Sequence, residues 1–397
     1  MKKSFFLFIA LTLGIGAWAQ ETQSVNYIDA DGQQKTVTAT VVTNETGTLS
    51  AGWYVVTGEV SRGSITCNGD VHLILADGAK LTATGGEDQA GITVSNGNTL
   101  AIYGQTAQSG QLIANGGNNS AGIGGGNHGS GTNITINGGT VTARGGNDGA
   151  GIGGGFNGSG SNITINGGTV TATGGEGGAG IGGGFNRNFG SNITINGGTV
   201  TATGGKGGAG IGGGFNSSGY NITICGGTVT ANGGDNGAGI GGGRYGSSSN
   251  IRVSADCHVL ADGNNPPTSE IVHGSDEDIA SKLNQRYAFI EVDQTILSEL
   301  RAEAIAAIDE AIEGEVNADI LDIAQEAKNL IMDANDRMTI TGIKDAALDE
   351  LKKLIKIYHS VLGPLGEEHP GPAVKVTKGD TEVILYLPDK VEYIIRK

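Results

Sequence analysis

Acidic side chains at glycine-rich corners are the residues of this chain that could do chemistry. Glu87 and Asp88 form one pair, and Asp148 stands in a similar Gly-Gly setting further along. Two carboxylates on either side of one bond can hydrolyse a glycosidic linkage, a base beside calcium can support elimination, and several carboxylates in one place can hold the calcium itself. The positions equivalent to Glu87 carry Asn118, Asn147, Glu176, Lys206 and Asp235. A column so mixed in charge favours a solvated corner, so no catalytic residue is predicted, and Glu87, Asp88 and Asp148 stay as candidate ligands for calcium.

A second apparent motif is glycine spacing. Four copies of GAGIGG match the G-x-G-x-x-G pattern of dinucleotide-binding loops. That loop works only between a strand and a helix, and here more strands and corners follow. The sequence therefore predicts no cofactor other than possible calcium.

The element that must position these side chains is a repeat. NITINGGTVTA begins at Asn133, Asn162 and Asn192, and NITICGGTVTA begins at Asn221, while GAGIGGG or a near variant recurs between them. A fixed period of 29 or 30 residues calls for a repeat architecture. Apolar and polar residues alternate within each phrase, which predicts short strands with one buried face, and Gly-Gly corners separate them. We expect an all-β, right-handed parallel β-helix of about 29–30 residues per coil.

Equivalent residues of successive coils should stack about 4.8 Å apart in columns. An internal asparagine ladder is expected at Asn137, Asn166 and Asn196. The alternation places threonines on outer faces, where they are candidate ligand-binding residues: Thr140, Thr142, Thr164, Thr169, Thr171, Thr194, Thr199, Thr201, Thr228 and Thr230. An aromatic column comprises Phe156, Phe185 and Phe215, with Tyr245 displaced by one position. Alternation from Ile152 favours this column as core, and an exposed strip that stacks on sugar rings is the alternative.

Composition divides the chain into five segments. Residues 1–19 combine two lysines, a short apolar run and an Ala-Trp-Ala site, which predicts a signal peptide and an exported protein, secreted or on the outer cell surface, with the periplasm as an alternative. Residues 20–62 are expected to be an N-terminal β cap and 63–268 the β-helix. Apolar spacing in 290–363 predicts a small three-helix bundle. Residues 372–397 are expected to form three short strands, VKVT, TEVILYL and VEYIIRK. No later segment is apolar enough to predict a membrane span.

Charge limits the possible partners. The chain carries 24 basic and 40 acidic residues, a net charge of −16, and 5% aromatics. Such a balance argues against nucleic acid as the partner. Residues 269–397 hold 14 basic and 26 acidic residues, so most of the net charge lies after the repeat.

The repeats also resemble a known group of proteins. WYVVTGEV, GDVHLILADGAKLTATGG and the GAGIGGG copies resemble secreted bacterial carbohydrate-binding domain or adhesin-like proteins over roughly residues 25–260. The resemblance implies a right-handed β-helix related to polysaccharide lyases, with polysaccharide binding more common than cleavage. The clustered carboxylates of the lyase relatives have no match here, so the resemblance implies no catalytic residue.

These observations predict an exported, non-catalytic, polysaccharide-binding or adhesin-like surface protein that uses a Thr/Asn-rich face of the β-helix. One alternative is a polysaccharide lyase or glycoside hydrolase of the β-helix type. Another is a structural stalk whose helical module binds a protein partner.

Overall fold

The computed structural model describes residues 21–95, 97–186, 188–262, 270–275, 278–283, 285–292, 294–313, 318–334, 337–362, 373–378 and 381–386. The predicted signal peptide, residues 1–19, lies outside the described residues.

The strands, in chain order, are β1 (Thr22–Ile28), β2 (Gln34–Val41), β3 (Thr48–Val56), β4 (Glu59–Arg62), β5 (Ile65–Leu75), β6 (Lys80–Thr84), β7 (Ile92–Thr93), β8 (Thr99–Gly104), β9 (Gln111–Asn115), β10 (Ile123–Gly124), β11 (Gly131–Ile136), β12 (Thr140–Arg144), β13 (Ile152–Gly153), β14 (Gly160–Ile165), β15 (Thr169–Thr173), β16 (Ile181–Gly182), β17 (Phe189–Ile195), β18 (Thr199–Thr203), β19 (Ile211–Gly212), β20 (Ser218–Ile224), β21 (Thr228–Asn232), β22 (Ile240–Gly241), β23 (Ser248–Asp262), β24 (Glu270–Ser275), β25 (Tyr287–Val292), β26 (Ala373–Lys378) and β27 (Thr381–Tyr386). The helices are α1 (Ala280–Leu283), α2 (Gln294–Ala311), α3 (Ala318–Asp333) and α4 (Arg337–Leu362).

The repeat forms a right-handed parallel β-helix, as the sequence predicts. The coils contribute strands to three parallel stacks, and the long strand β5 belongs to two of them. The first stack holds the two-residue strands β7, β10, β13, β16, β19 and β22. The second stack holds β5, β8, β11, β14, β17, β20 and the start of β23. The third stack holds β4, β6, β9, β12, β15, β18 and β21.

The alternation of apolar and polar residues places the apolar side chains inside the tube. Ile134 pairs in register with Ile163, and Val141 pairs with Val170, one coil apart. All four side chains are fully buried. Since side chains on a strand alternate between faces, the threonines between these residues point outward. The core is a continuous column of isoleucine, valine and alanine inside the tube.

Glycine is required at the corners chiefly because neighbouring coils approach closely. A Cβ atom on Gly178 would collide with the carbonyl oxygen of Gly149 in the preceding coil. Gly153 also has a φ of +130°, a backbone conformation that side chains disfavour. The glycine richness of the sequence thus follows from backbone-to-backbone packing as well as from turn conformation.

The N-terminal segment divides into a hairpin and a first coil. β1 and β2 pair antiparallel, whereas β3 pairs parallel with β5, and β4 with β6. β2 in turn pairs parallel with β3 through Thr40 and Val41, so parallel pairing begins at Thr40, inside the 20–62 segment predicted to be the cap. The buried side chains of Tyr54 and Val56 pack into the same core as the repeats.

The C-terminal end of the tube is closed by an inserted strand. The parallel pairing of β20 with β23 ends at Val253. β25 then pairs antiparallel with β21 on one side and with the second half of β23, Cys257–Asp262, on the other. The last strand of the third stack is thereby covered instead of left as an open edge.

Three helices follow, as the apolar spacing predicts. Leu297, Ala304 and Ile308 of α2 are buried at helical spacing, and each of the helices α2, α3 and α4 contacts the other two. β26 and β27 form a separate antiparallel hairpin. The third predicted terminal strand, VEYIIRK, lies outside the described residues. No helix in the described part of the chain has both the length and the apolarity to cross a bilayer.

Candidate functional site

Two straight rows of threonine run along the third stack. The first row pairs Thr140, Thr169, Thr199 and Thr228 in register, and the second pairs Thr142, Thr171, Thr201 and Thr230. Every one of these side chains is half-exposed or exposed. Hydroxyl groups therefore recur about every 4.8 Å along this face of the tube, and the exposed Arg144 lies two residues beyond Thr142 on the same face.

Thr164 and Thr194 lie on a different face. They pair with each other and with Thr135 and Thr223 on the second stack, and both are half-exposed. The candidate threonines thus belong to two faces that meet at the corner between the second and third stacks. Residue type alone does not distinguish these two faces.

The corner between these faces carries the predicted asparagine ladder. Asn166 donates from Nδ2 to Oδ1 of Asn137 at 2.7 Å, and Asn196 donates to Asn166 at 2.8 Å. The Oε1 atom of Gln108 accepts a hydrogen bond of 2.6 Å from the backbone N–H of Gly139 at the start of the ladder. Cys225 takes the next position in the sequence. The prediction of an asparagine ladder at this turn is confirmed, but only Asn137 is buried, whereas Asn166 and Asn196 are half-exposed.

A groove of about 610 Å³ follows this corner. Asn137, Asn166 and the Gly-Gly turns line its floor, and Thr199 and Thr228 line its side on the third stack. Residues of the β1–β2 turn border the groove at one end, and residues of β25, α2 and α3 border it at the other. The volume is within the range of about 300–1,000 Å³ of small-molecule sites. No sequence motif marks this groove, because its ends come from segments far from the repeat.

The phenylalanine column does not lie in the core, where the alternation of residues from Ile152 would place it. Phe156, Phe185 and Phe215 are half-buried and lie outside the hydrophobic core. The strands of the first stack are only two residues long, so the alternation from Ile152 ends before it reaches Phe156. The rings stack with centroids 5.8 and 5.1 Å apart and planes tilted by 16° and 11°. Neighbouring rings therefore cover each other's faces, which leaves edges rather than flat faces for a sugar ring.

Tyr245 does not extend the phenylalanine column. Arg244 takes the position in register with Phe215, since the N–H of Asn216 bonds the carbonyl oxygen of Arg244. Tyr245 instead stands in the column of Asn157 and Asn186, where residues have positive φ. It is 72% exposed, and the Arg244 guanidinium lies 4.8 Å from its ring centroid. The displacement noted in the sequence is thus a change of column.

The candidate calcium ligands are not brought together. Glu87 and Asp88 are exposed at one corner, and Asp148 lies two coils further along the same column, with Asn119 between them. Asn119 donates to Asp88 at 3.5 Å. In the described ranges, no three His, Cys, Asp or Glu side chains form a group that could hold a metal ion. Burial, and then the charge of Glu176, raise the pKa of Asp148.

An aromatic cluster near the N-terminus was missed in the sequence. Trp53 stacks on His72 with centroids 4.3 Å apart, and Tyr27 lies 4.7 Å from the Trp53 ring. His72 bonds through Nδ1 to the Tyr103 hydroxyl at 3.1 Å and through Nε2 to Asp70 at 3.3 Å. These residues lie on the outer face of the second stack. Trp53 pairs in register with His72, but Tyr103 lies two residues beyond Ala101, the register partner of His72, so coil spacing alone does not mark this cluster.

The pKa values of Asp70 and Tyr103 in this cluster are shifted by their contacts and burial. A hydrogen bond from Thr99, with a smaller contribution from His72, lowers the pKa of Asp70. Burial, followed by nearby Tyr27 and acidic groups, raises the pKa of Tyr103 to about 12. Tyr103 therefore stays neutral at physiological pH, which suits a structural hydrogen bond and not a general base.

Comparison with known proteins identifies the repeat. A family model described as a beta helix repeat matches residues 134–156, 163–185, 193–215 and 222–244. Each match begins at a buried isoleucine of the second stack and ends at the column of Phe156, Phe185, Phe215 and Arg244. Neither the search of curated proteins nor the search of solved structures found a match. The central part of the chain is therefore a β-helix repeat, a fold consistent with surface or polysaccharide-related proteins.

Proposed function

We propose that this protein is an exported, non-catalytic polysaccharide-binding protein of the adhesin-like type. The observation that carries the proposal is the pair of threonine rows on the third stack. They present eight hydroxyl-bearing side chains in register on one face. A polymer with a regular repeat can hydrogen-bond to a regular row, and many weak contacts add up along its length.

Binding is tested by a screen of the purified full chain on an array of neutral and anionic polysaccharides. We expect retention on at least one polymer. The double variant Thr199→Arg/Thr201→Arg should lose retention, because long charged side chains would cover the hydroxyl rows. Lys206→Ala, at an exposed corner away from both rows, is the matched control and should bind like the wild type. Retention on no polymer of a broad panel would overturn the proposal.

Export is tested separately by expression in a Gram-negative host. Cleavage after Ala19 would give a mature chain that begins at Gln20, as the residue pattern of 1–19 predicts. Intact-mass measurement of the protein from the periplasm and the medium determines the N-terminus. An uncleaved chain retained in the cytoplasm would contradict export.

A polysaccharide lyase or hydrolase is the second candidate. It is favoured by the surroundings of Asp148, where burial, and then the charge of Glu176, raise the pKa of this carboxyl group, because a raised pKa is typical of a carboxyl group that acts as a general acid. Release of unsaturated or reducing sugars from a polymer, abolished by Asp148→Ala and also tested with Glu87→Ala, would establish it. Binding without product release would favour the non-catalytic proposal.

A further inference from the structure

The groove at the asparagine corner has features that the flat threonine face lacks. It is concave, it encloses about 610 Å³, and it is bordered at both ends. The corners from Gln108 to Gly227 span five coils, or roughly 19 Å at about 4.8 Å per coil. A ligand in this groove would therefore be a short segment of limited length.

The floor and side of the groove carry neutral hydrogen-bonding groups. Asn137 and Asn166 present amides that are already aligned by the ladder, whose bond between them measures 2.7 Å. An amide group has two N–H donors, and the ladder bond uses one of them. Thr199 and Thr228, both exposed, add hydroxyl groups on the third-stack side. Because the ladder fixes the amides before binding, a ligand does not have to order them.

The charge of the groove selects against anions. Among the described residues that line it, Asp29, Glu291 and Asp333 are acidic, and none is lysine or arginine. Two cations contact lining residues from outside: Lys35 lies 3.8 Å from Asp29, and Arg301 donates to the carbonyl oxygen of Ala334. The whole chain carries a net charge of −16. Bringing a carboxylate- or sulfate-bearing polymer into this field would cost electrostatic free energy, whereas carboxylates accept hydrogen bonds well from neutral hydroxyl groups.

We propose that this corner groove is the subsite that binds a short segment of a neutral polysaccharide, and that it excludes uronate-containing polymers. The inference rests on the proposed function and narrows it to one site and one class of glycan. The groove differs from the outer threonine face because only the first threonine row, Thr199 and Thr228, borders it. Thr201 and Thr230 stand on the same strands but outside the groove.

Calorimetric titration of the full chain compares a variant that borders the groove with one that lies outside it. The probes are tetrasaccharides of β-1,4-glucan, β-1,4-xylan and β-1,4-mannan, and tetragalacturonate as the anionic counterpart. We expect at least one neutral tetrasaccharide to bind and tetragalacturonate not to bind. Thr199→Arg should weaken binding of the tetrasaccharide about tenfold or more. Thr173→Arg is the control and should change binding by less than about twofold, because Thr173 lies outside the groove and both rows and its position carries Arg144 one coil earlier. Thr228→Arg repeats the comparison in the next coil, should Thr199→Arg disturb folding.

The outcomes separate the two proposals. If long polymers bind and Thr201→Arg weakens them as much as Thr199→Arg does, the ligand uses the flat face and the groove inference is overturned. If tetragalacturonate binds as tightly as the neutral probes, the glycan class is wrong. If neither polymers nor tetrasaccharides bind the wild-type chain, the proposed function itself fails.

Discussion

At the scale of single residues, asparagine does two different tasks in this repeat. In the corner ladder, Asn137 and Asn166 bond across coils at the end of a strand. In a second ladder, Asn162, Asn192 and Asn221 bond across coils from inside the second stack, where their φ values are 52° to 54°. Left-handed conformation is costly for most residues and tolerated by asparagine. The asparagine of each NIT phrase therefore interrupts the regular backbone pairing of the second stack and bonds through its side chain instead, so the phrase is not a plain strand start.

Substitution of Asn192 separates two contributions to stability: the hydrogen bonds of its side chain and the left-handed conformation of its backbone. Asn192→Gly keeps the positive φ but removes the hydrogen bonds to Asn162 and Asn221, of 3.2 and 3.1 Å. Asn192→Ala removes the bonds and also forces a side chain into the left-handed region. We expect both variants to unfold at lower urea than the wild type, with alanine about 1–2 kcal/mol less stable than glycine. Equal denaturation midpoints for the two variants would show that backbone conformation contributes nothing there.

Asp148 gives a pH-dependent prediction. Its pKa is raised from the usual 3.8 in the folded state by burial and by Glu176, so folding favours the protonated form. Stability from this group is present below its unfolded pKa and is lost as pH rises through the folded pKa. Asp148→Asn removes this loss of stability at higher pH, because asparagine does not ionise. Asn119 already occupies the equivalent position one coil earlier.

The variant should therefore melt at a higher temperature than the wild type at about pH 7, and at the same temperature at about pH 3, where Asp148 is protonated in both states. Glu176→Gln is the control and should give a smaller gain, since charge is the lesser cause of the shift. Thermal unfolding followed by circular dichroism measures both effects. A constant difference at the two pH values would contradict the titration of Asp148.

At the scale of elements, the alternation of apolar and polar residues correctly predicts which side chains are buried wherever the strands are long enough. Ile163, Ile165 and Val170 are buried as the pattern requires. The same rule misplaces Phe156 because its strand ends after Gly153. Sequence spacing also supplies the asparagine ladder and the three helices, which depend on neighbours at fixed intervals. It does not supply the groove, because contacts of Asp29 and Asp333 with one corner depend on how the two ends of the chain fold back.

The inserted strand β25 was likewise hidden from the pattern. Its pairing partners, β21 and the end of β23, are 25 or more residues away, and nothing in the sequence of Tyr287–Val292 distinguishes antiparallel insertion from a further coil. An unpaired strand edge invites association with other chains. β25 is therefore expected to keep the protein monomeric at its C-terminal end.

Proline tests the role of this strand. Phe289 pairs with Thr230 on one side and with Leu260 on the other, and Phe289→Pro would remove a ladder N–H from the middle of β25. We expect concentration-dependent association in size-exclusion chromatography with light scattering. Gln294→Pro is the control, because the first position of a helix such as α2 tolerates proline. A monomeric Phe289→Pro chain at all concentrations would show that β25 does not protect the edge.

At the scale of the whole molecule, antiparallel elements pack against the β-helix near both of its ends. At the N-terminus, the β1–β2 hairpin covers part of the outer face of the second stack. Val25 and Ala39 of the hairpin bury Val55 and Ile74, which point away from the tube interior. Gln105 of a later coil donates to the backbone oxygen of Asn26 at 2.8 Å. The hairpin thus runs along the tube across several coils, and its turn forms one end of the groove.

This arrangement predicts that the hairpin can be detached without unfolding the tube. Val25 is 8% exposed and contacts the outer apolar cluster, whereas Thr38 of the paired strand is exposed. Val25→Asp would bury an unpaired charge between the hairpin and the second stack, which costs several kcal/mol unless the hairpin separates. Since Val55 and Ile74 would then face solvent, we expect increased binding of a hydrophobic fluorescent dye. Strand content by circular dichroism should change little, because the core inside the tube keeps its contacts.

Thr38→Asp is the matched control and should resemble the wild type in both measurements. Loss of most strand signal in Val25→Asp at room temperature would instead show that the hairpin is needed for the first coil to form, and thus that the tube is nucleated from its N-terminal end.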